Sequence, residues 1–429
     1  MTLSWLQIVR LGVVQMCIGA VVVLTTTTFN RLMVVELALP AMLPGFLVGL
    51  HYAIQITRPN WGFLSDTKGQ RTRFIIGGMA VLALGGFGAA AGVVVLEQDY
   101  VWGLVVSLLA YVLIGIGVAA SGTCLLALLA TATAPERRAA AATITWLMMI
   151  GGIAITAGVV GQFLDPYSPE RLLRVVGTVV IAALMVTTLA IWGVERRVVT
   201  RREPESTPFL QGFREIWAER RARIFTFFVF LSMTAFFMQE LIIEPYAGLV
   251  FGYTPGQSTS LSGLQHAGAF VGMVVVGIAC SALRIGPLRN WVVLGCIGSA
   301  LGLSSVAALG NYAPHLPLAP AVIATGFFNG VFTVAAISAM MAMAGKGRNA
   351  REGTRMGMWG AAQAIAAGFG GFLGTAAADL MRSFMDDAPA FGTVFMTQAL
   401  LFLLAAWMAA RIIDSNRPTT KNAGLVPGE

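Results

Sequence analysis

Two histidines, His51 and His266, lie inside long apolar stretches of the sequence. Gln55 follows His51 by about one helical turn, which predicts that their side chains share one face of a helix. A neutral imidazole can bind a metal, and an imidazole without a hydrogen-bond partner is costly in apolar surroundings. Each histidine is therefore either a ligand for a metal-containing group or a residue hydrogen-bonded inside a helix bundle.

A carboxylate, Glu240, also stands within an apolar stretch. Counted from Arg223 it lies about 25 Å along a helix, and His266 lies about 27 Å from Arg284, at a rise of about 1.5 Å per residue. Antiparallel neighbouring helices could bring the two side chains together, with Glu244 nearby. A buried Glu240–His266 pair is one interpretation, and a contact with a bound ligand or a polypeptide is the other.

The composition identifies the environment of these side chains. The chain has 429 residues, of which 57% are hydrophobic and 11% charged, and its mean hydropathy is +0.78. Soluble domains carry about 25% charged residues, so this composition excludes a soluble protein. Continuous apolar runs predict membrane-spanning helices rather than barrel strands. In such a protein, the net charge of +8 reflects the side on which Lys and Arg lie and does not indicate nucleic-acid binding.

Charges and turn residues divide the chain into twelve apolar segments. They run over 10–31, 40–57, 74–96, 101–124, 139–161, 172–193, 224–245, 258–283, 290–310, 318–344, 356–378 and 391–411. The second segment is short and contains Pro44 and Gly45. If the connections alternate between two sides, 24 of the 28 Lys and Arg residues fall on the side of the termini. This bias predicts that both termini are cytoplasmic.

The longest polar stretch divides these segments six and six. We predict an N-terminal six-helix bundle over 1–193, a cytoplasmic linker over 194–222, a C-terminal six-helix bundle over 223–413 and a disordered tail over 414–429. Apolar residues at near-helical spacing in the linker predict either an amphipathic helix on the membrane surface or a helix that touches other loops.

Gly62, Asp66, Gly69 and Arg71 form a Gly-x-x-x-Asp…Gly-x-Arg pattern in a short loop between the second and third segments. With the six-plus-six arrangement, the pattern resembles the loop signature of the major facilitator superfamily. The resemblance implies an all-α membrane fold of the transporter type. Tyr111 stands where the family pattern has an arginine associated with proton coupling, and no charged residue lies near the middle of a segment. These departures favour a scaffold that does not actively transport a charged solute.

The opening of the chain resembles a narrower family. Residues 28–45, with the run Asn-Arg…Glu-Leu-Ala-Leu-Pro, and residues 51–59 resemble the PucC/LhaA family of phototrophic bacteria. The resemblance implies assembly of light-harvesting complexes in the inner (intracytoplasmic) membrane. It implies binding of light-harvesting α/β polypeptides, handling of bacteriochlorophyll and of a carotenoid, and contact with the core antenna around a reaction centre and with chlorophyll synthase.

Under this resemblance, the pigment-binding candidates are His51, Gln55, His266 and Glu240, because imidazole can bind the magnesium of a chlorin. The alternative is a major-facilitator-type transporter of an amphipathic small molecule. The sequence contains no nucleotide-binding loop, no metal-ligand spacing and no nucleophile with a neighbouring base, so we predict that the protein is not an enzyme.

The resemblance also suggests partner contacts. Asn30, Arg31 and Glu36 are candidates near the end of the first segment, and Phe227 and Phe228 are candidates in the aromatic seventh segment, where flat rings suit pigment surfaces. A five-residue offset does not place Arg31 and Glu36 on one face of an α-helix, so we do not predict an ion pair between them.

Overall fold

The protein is described by a computed structural model, which covers residues 3–58, 60–61, 64–65, 71–134, 137–195, 217–281, 283, 285–313, 315–344 and 352–413. Every regular element within these ranges is helical. Eleven helices are long and apolar enough to cross a membrane, and Met42–Thr57 is a shorter apolar helix. The prediction of twelve segments with a short second one is therefore confirmed. The cytoplasmic position of the termini stays a prediction.

We number the α-helices in chain order. They are α1 Trp5–Thr26, α2 Thr28–Arg31, α3 Met42–Ile54, α4 Arg71–Gln98, α5 Tyr100–Ala132, α6 Arg138–Leu164, α7 Pro169–Ile191, α8 Arg220–Glu240, α9 Ile243–Phe251, α10 Pro255–Ser281, α11 Leu288–Leu309, α12 Ala319–Ala344, α13 Glu352–Arg382 and α14 Asp387–Ile412. Short 3₁₀ turns follow α3 and α11, and a π-helical turn, Leu32–Glu36, follows α2.

Polar residues outside the apolar runs set the starts of several helices. Ser4 and Gln7 form a capping box at α1, and the Asp99 carboxylate accepts hydrogen bonds from the backbone of Val101 and Trp102 at α5. These side chains satisfy N–H groups that have no partner within the helix. The ends of the apolar segments therefore coincide with capped helix ends.

The N-terminal and C-terminal halves of the chain each have their own cluster of buried apolar residues. One cluster comprises only residues from 222–413, and a second lies within 17–183 and includes Leu241. Within the halves, α4 packs along α5 and α11 packs along α12. The halves meet along two helix pairs, α3 with α13 and α6 with α10.

Glycines allow the close approach at these two contacts between halves. A Cβ atom added at Gly263 on α10 would lie 2.6 Å from the backbone nitrogen of Gly158 on α6. One added at Gly45 on α3 would collide with the Thr375 hydroxyl on α13. Small residues bring the helix backbones together where lipid supplies no hydrophobic driving force for helix association.

Two of the membrane-crossing units are interrupted at equivalent places in the two halves. The first has 22 residues in α1 before the backbone leaves helical geometry at Thr27 (φ −108°, ψ −82°). The seventh has 21 residues in α8 before the interruption at Leu241 and Ile242. Interrupted helices in matching positions of two repeats are the places where transporters of this type build binding sites. The side chains around these breaks therefore form the candidate site.

The end of the molecule opposite the chain termini, called here the far end, carries polar contacts between the halves. Asp165, directly after α6, accepts a hydrogen bond of 3.0 Å from the backbone nitrogen of Gly256 at the start of α10. Asp379 on α13 accepts hydrogen bonds of 2.9 Å and 2.6 Å from the backbone nitrogens of Ala41 and Met42 at the start of α3. A carboxylate of one half thus caps a helix of the other half in both places.

Candidate functional site at the helix breaks

Side chains from other helices satisfy backbone carbonyls beside both breaks. The Tyr111 hydroxyl on α5 donates a hydrogen bond of 3.1 Å to the carbonyl of Thr25. The Asn30 amide on α2 donates one of 2.6 Å to the carbonyl of Leu241, which crosses from one half to the other. Tyr111 therefore supports the break in the first unit through a neutral hydroxyl at the position where the family pattern has an arginine.

Arg31 corrects one expectation from the sequence. It forms an ion pair with Glu36, five residues later, which the α-helical spacing did not predict. The intervening turn Leu32–Glu36 is π-helical, so residues five apart come onto the same face. The Arg31 Nη2 atom also donates a hydrogen bond of 2.7 Å to the carbonyl of Tyr253 in the other half.

Tyr167 lies in the far-end connection between α6 and α7, outside the membrane-crossing helices. Burial raises the pKa of this phenol to about 12, and the carboxylates of Glu97 and Glu36 act in the same direction. The hydroxyl therefore stays protonated at neutral pH and adds a neutral polar group near Glu36.

Glu244 on α9 is the most isolated charged group at the breaks. It has no exposed surface, and neither carboxylate oxygen has a hydrogen-bond partner among the described residues. Its polar neighbours are Ser262 on α10, Thr27 at the break in the first unit, and Arg31. Residues from both halves thus surround one buried carboxylate. The sequence indicated Glu244 only as a neighbour of Glu240.

His266 lies one helical turn from Ser262 on α10 and does not form the predicted pair with Glu240. Its Nδ1 atom lies 2.9 Å from the Ser262 carbonyl. A carbonyl only accepts, so Nδ1 carries the proton and the lone pair is on Nε2. The structure records no partner for Nε2 within the described ranges.

Glu240 instead lies within electrostatic range of Tyr52 on α3, in the other half. The helices that carry Glu240 and His266 have different main neighbours, because α8 packs against α13 and α14 whereas α10 packs against α6 and α12. Ring contacts support this position, because Tyr52 meets Phe237, one turn before Glu240, at a centroid distance of 6.0 Å.

His51 and Gln55 come together as predicted, but in a hydrogen-bonded chain. The Val48 carbonyl lies 3.2 Å from His51 Nδ1, and the Gln55 Nε2 atom lies 3.0 Å from His51 Nε2. The Gln55 carbonyl oxygen in turn accepts a hydrogen bond from Arg58. Both nitrogens of the buried His51 ring are therefore occupied. This arrangement favours the structural interpretation of His51 over ligand binding.

Some of the candidate partner-contact residues are buried inside the molecule, and others are exposed on its surface. Asn30, Arg31 and Phe228 are buried, so the structure assigns them to packing inside the molecule, contrary to the expectation of partner contact. Phe227 is 54% exposed and the Glu36 side chain is 37% exposed, so these two remain available to a partner.

The loop signature falls mostly outside the described residues, which include Arg71 but not Gly62, Asp66 or Gly69. The backbone nitrogens of Arg71 and Thr72 donate hydrogen bonds of 2.9 Å and 2.8 Å to the Glu195 carboxylate. Glu195 therefore caps α4 from more than a hundred residues away in the sequence. The predicted amphipathic linker helix and the tail likewise lie outside the described ranges, apart from residues 194–195 and 217–222 of the linker.

No group of three or more His, Cys, Asp or Glu side chains suited to a metal ion occurs within the described ranges. The residues that sequence reasoning missed are Asp165, Asp379 and Glu195, each of which caps a helix distant in sequence. Their only local signal was an acidic residue beside the end of an apolar run.

Comparison with known proteins is consistent with this geometry. A "Bacteriochlorophyll synthase 44.5 kDa chain" of Rhodobacter capsulatus is 66% identical to this chain over 415 residues, which cover 96% of each protein. A "Protein PucC" of Cereibacter sphaeroides is 29% identical and covers 89% of this chain and 84% of that protein.

Solved structures establish the fold. The crystal structure of a D-xylose–proton symporter has a TM-score of 0.73 at 15% identity, covering 95% of this chain and 97% of that one. The nucleoside transporter NupG has a TM-score of 0.70 at 14% identity, covering 96% and 99%. The PUCC protein family model matches residues 28–417. With twelve apolar helical segments, a fold like that of these transporters and a family match over most of its length, the chain belongs to the PUCC protein family.

Proposed function

We propose that this protein is an assembly factor for light-harvesting complexes that binds antenna α/β polypeptides in the membrane and holds or delivers bacteriochlorophyll. The observation that carries the proposal is the family match over residues 28–417. The relative at 66% identity has bacteriochlorophyll in its name, which supports a role next to bacteriochlorophyll chemistry. A fold made almost entirely of membrane-crossing helices suits a ligand that partitions into lipid.

His266 is the residue that we assign to the pigment. Its Nδ1–H donates to the Ser262 carbonyl, which fixes the tautomer and the ring orientation. The Nε2 lone pair would then be available to bind the magnesium of bacteriochlorophyll. A backbone hydrogen bond of this kind is the usual outer-shell support of a metal-binding imidazole.

His51 fits the pigment less well. Its Nε2 atom accepts from Gln55, and Gln55 is held in turn by Arg58, so binding magnesium there requires the chain of side chains to break. We therefore retain His51 and Gln55 as a pigment site only for a rearranged state, and Glu240 as a neighbour of Tyr52 near that region.

The proposal assigns bond-making chemistry to a partner enzyme, such as chlorophyll synthase, and pigment handling to this chain. The expected partners are antenna α/β polypeptides and the core antenna around a reaction centre. Phe227, with Trp217 at a ring-centroid distance of 6.1 Å, and Glu36 are the predicted contacts that the structure leaves exposed. They lie toward opposite ends of the molecule, so two separate contacts are proposed.

The test is purification from phototrophically grown cells in a mild detergent, followed by an absorption spectrum and mass spectrometry of co-purifying polypeptides. We expect bacteriochlorophyll at a near-stoichiometric ratio, together with antenna polypeptides or synthase subunits. A colourless protein without these partners would contradict the proposal. Expression of the same chain in a host without bacteriochlorophyll supplies the spectral baseline.

A transporter of an amphipathic small molecule is the second candidate, favoured by the fold of the symporter and nucleoside transporter. Alternating access requires the far end to open. The Thr254 hydroxyl donates a hydrogen bond of 2.5 Å to Asp165, so a disulfide between Asp165→Cys and Thr254→Cys would lock this contact. Antenna assembly that survives the lock supports the assembly factor, and loss that is reversed by reduction supports the transporter.

A further inference from the structure

Among the described residues, the buried carboxylate of Glu244 forms no ion pair. It lies at the start of α9, directly after the break in the seventh unit, and has no exposed surface. Both carboxylate oxygens are without hydrogen-bond partners in the described part of the chain. A buried ionised carboxylate is stable only when it is paired and hydrogen-bonded, and otherwise it takes up a proton.

Arg31 is the charged group within electrostatic range of Glu244, but other atoms already use its guanidinium. One nitrogen pairs with Glu36 and another donates to the Tyr253 carbonyl. Arg31 and Glu36 therefore balance each other, and Glu244 contributes one unmatched negative charge. A single proton on Glu244 makes the cluster neutral.

A second set of buried atoms indicates that the cluster is incomplete. The Arg31 Nε atom and the Asn30 Oδ1 atom are also buried and without hydrogen-bond partners among the described residues. Thr27 and Ser262 place hydroxyl groups beside Glu244, one from each half. A hydroxyl can accept from a protonated carboxyl or donate to an ionised one, so these two neighbours suit a group that gains and loses a proton.

The other elements packed against α9 do not supply the missing positive charge. These elements are α2, the π-helical turn, α10 and α14. Their titratable and charged groups are Arg31, Glu36, His266, Cys280, Asp387 and Arg411, and α8 and α9 add Glu240 and Tyr246 near the break. Arg411 stands at the opposite end of α14 from Asp387. Arg382 pairs with Asp387 at 2.6 Å, and the Tyr246 hydroxyl donates to the Val306 carbonyl. His266 donates to the Ser262 backbone carbonyl.

We propose that Glu244 is a protonation site, and that its proton stabilises the conformation in which the two helix breaks and the far end are joined. Thr27 belongs to one half, and Glu244 and Ser262 belong to the other. Loss of the proton therefore places an unpaired negative charge on Glu244 at the contact between the halves. The ionised state therefore favours separation of the breaks. This inference does not depend on pigment binding.

Infrared spectroscopy tests the proton directly. In purified protein labelled with [¹³C]glutamate, we expect an isotope-shifted carbonyl band of a protonated glutamic acid at pH 6 that disappears as the pH is raised. The band should persist in Glu240→Gln and vanish in Glu244→Gln. Absence of the band from both the wild type and Glu240→Gln at pH 6 would overturn the proposal, whether or not Glu244→Gln folds.

Thermal unfolding tests the coupling to conformation. Under the proposal, Glu244 holds a proton in the folded state that the unfolded chain does not hold at neutral pH, so the free energy of unfolding falls as the pH rises and this proton is lost. We expect the wild-type Tm to fall by about 2–4 °C over the pH range in which the infrared band disappears. Glu244→Gln should lack this fall, and Glu240→Gln should keep it.

An equal fall of Tm in wild type and Glu244→Gln would contradict the coupling. The same titration in NaCl and in choline chloride distinguishes a proton from a metal cation. Indistinguishable curves support a proton site, whereas a Tm raised by sodium alone, and only when Glu244 is present, would assign the site to a metal cation and overturn the proposal.

Discussion

Asp165 and Asp379 occupy equivalent positions in the two halves of the molecule. Each carboxylate lies at the far end of a helix from one half and accepts hydrogen bonds from the backbone at the start of a helix in the other half. A carboxylate in this place satisfies N–H groups that lack a helical partner and is favoured by the helix dipole. Two such contacts therefore hold the halves together at the end opposite the termini.

Removing these carboxylates should loosen the far end. We expect Asp165→Ala or Asp379→Ala to lower stability by about 0.5–2 kcal/mol each, the usual contribution of a helix cap. Thr259 is buried at the contact between halves, where its hydroxyl lies 3.3 Å from that of Thr28. A Thr259→Cys reporter, in a background without native cysteines, should react faster with a polar maleimide in both variants.

The matched control for the far-end contacts is Asp99→Ala. Asp99 also caps a helix, but its hydrogen bonds stay within α5 and its immediate start. This variant should lose a similar amount of stability without a change in the labelling rate of Thr259→Cys. Equal labelling in all variants would show that the two carboxylates do not join the halves.

Tyr111 should stabilise the break in the first unit through its hydroxyl. Tyr111→Phe leaves the Thr25 carbonyl without this donor in a buried place, which costs about 1–3 kcal/mol. We expect a lower Tm in detergent. Tyr312→Phe is the control, because Tyr312 is 60% exposed. The same Tm for both variants would argue against support of the break by Tyr111.

Two glycines on facing helices give a sharp test of the contact between α6 and α10. Gly263→Ala places a methyl group 2.6 Å from the Gly158 backbone, whereas Gly158→Ala meets no atom within 4 Å. We expect Gly263→Ala to lower the yield of folded protein, because overpacking costs about 1–3 kcal/mol. Gly158→Ala should be neutral or stabilising by up to about 1 kcal/mol, since alanine favours the helix. Thermal unfolding of both variants in one detergent decides the order, and a reversed order would contradict the packing described here.

Pigment content should depend on His266 more than on His51. We expect His266→Leu to weaken bacteriochlorophyll binding by roughly tenfold or more, because even the outer partners of a metal ligand contribute that much. His51→Leu should keep its pigment but lower the Tm, since it breaks the chain through Gln55 to Arg58. The pigment-to-protein ratio of the purified variants decides. Loss of pigment in His51→Leu alone would reverse the assignment.

The family and the number of membrane-crossing helices were predictable from the sequence. The length of an apolar run is a local property of the sequence, and it must match the thickness of the hydrocarbon core of the bilayer. The twelve segments, including the short second one, were therefore predictable without any knowledge of packing. The contact between His51 and Gln55 was predictable for the same reason, because a spacing of one helical turn is also local.

Long-range contacts and local departures from α-helical geometry required the tertiary structure. Arg31 and Glu36 pair because a π-helical turn brings residues five apart in the sequence onto one face. The pattern of apolar residues does not predict such a turn. The expected Glu240–His266 pair failed because α8 packs against α13 and α14 whereas α10 packs against α6 and α12, and no local sequence pattern shows which helices become neighbours.

The sequence by itself thus determined that the chain has twelve apolar segments and resembles the PucC/LhaA family, because these properties depend on residues that are close together in the chain. Only the tertiary structure decided which buried polar groups are satisfied. Asp165 finds its partner 91 residues away and Asp379 finds its partner 338 residues away, and Glu244 is left without one. Pairing of buried polar groups depends on the rotation of each helix against its neighbours, which packing between the two halves sets.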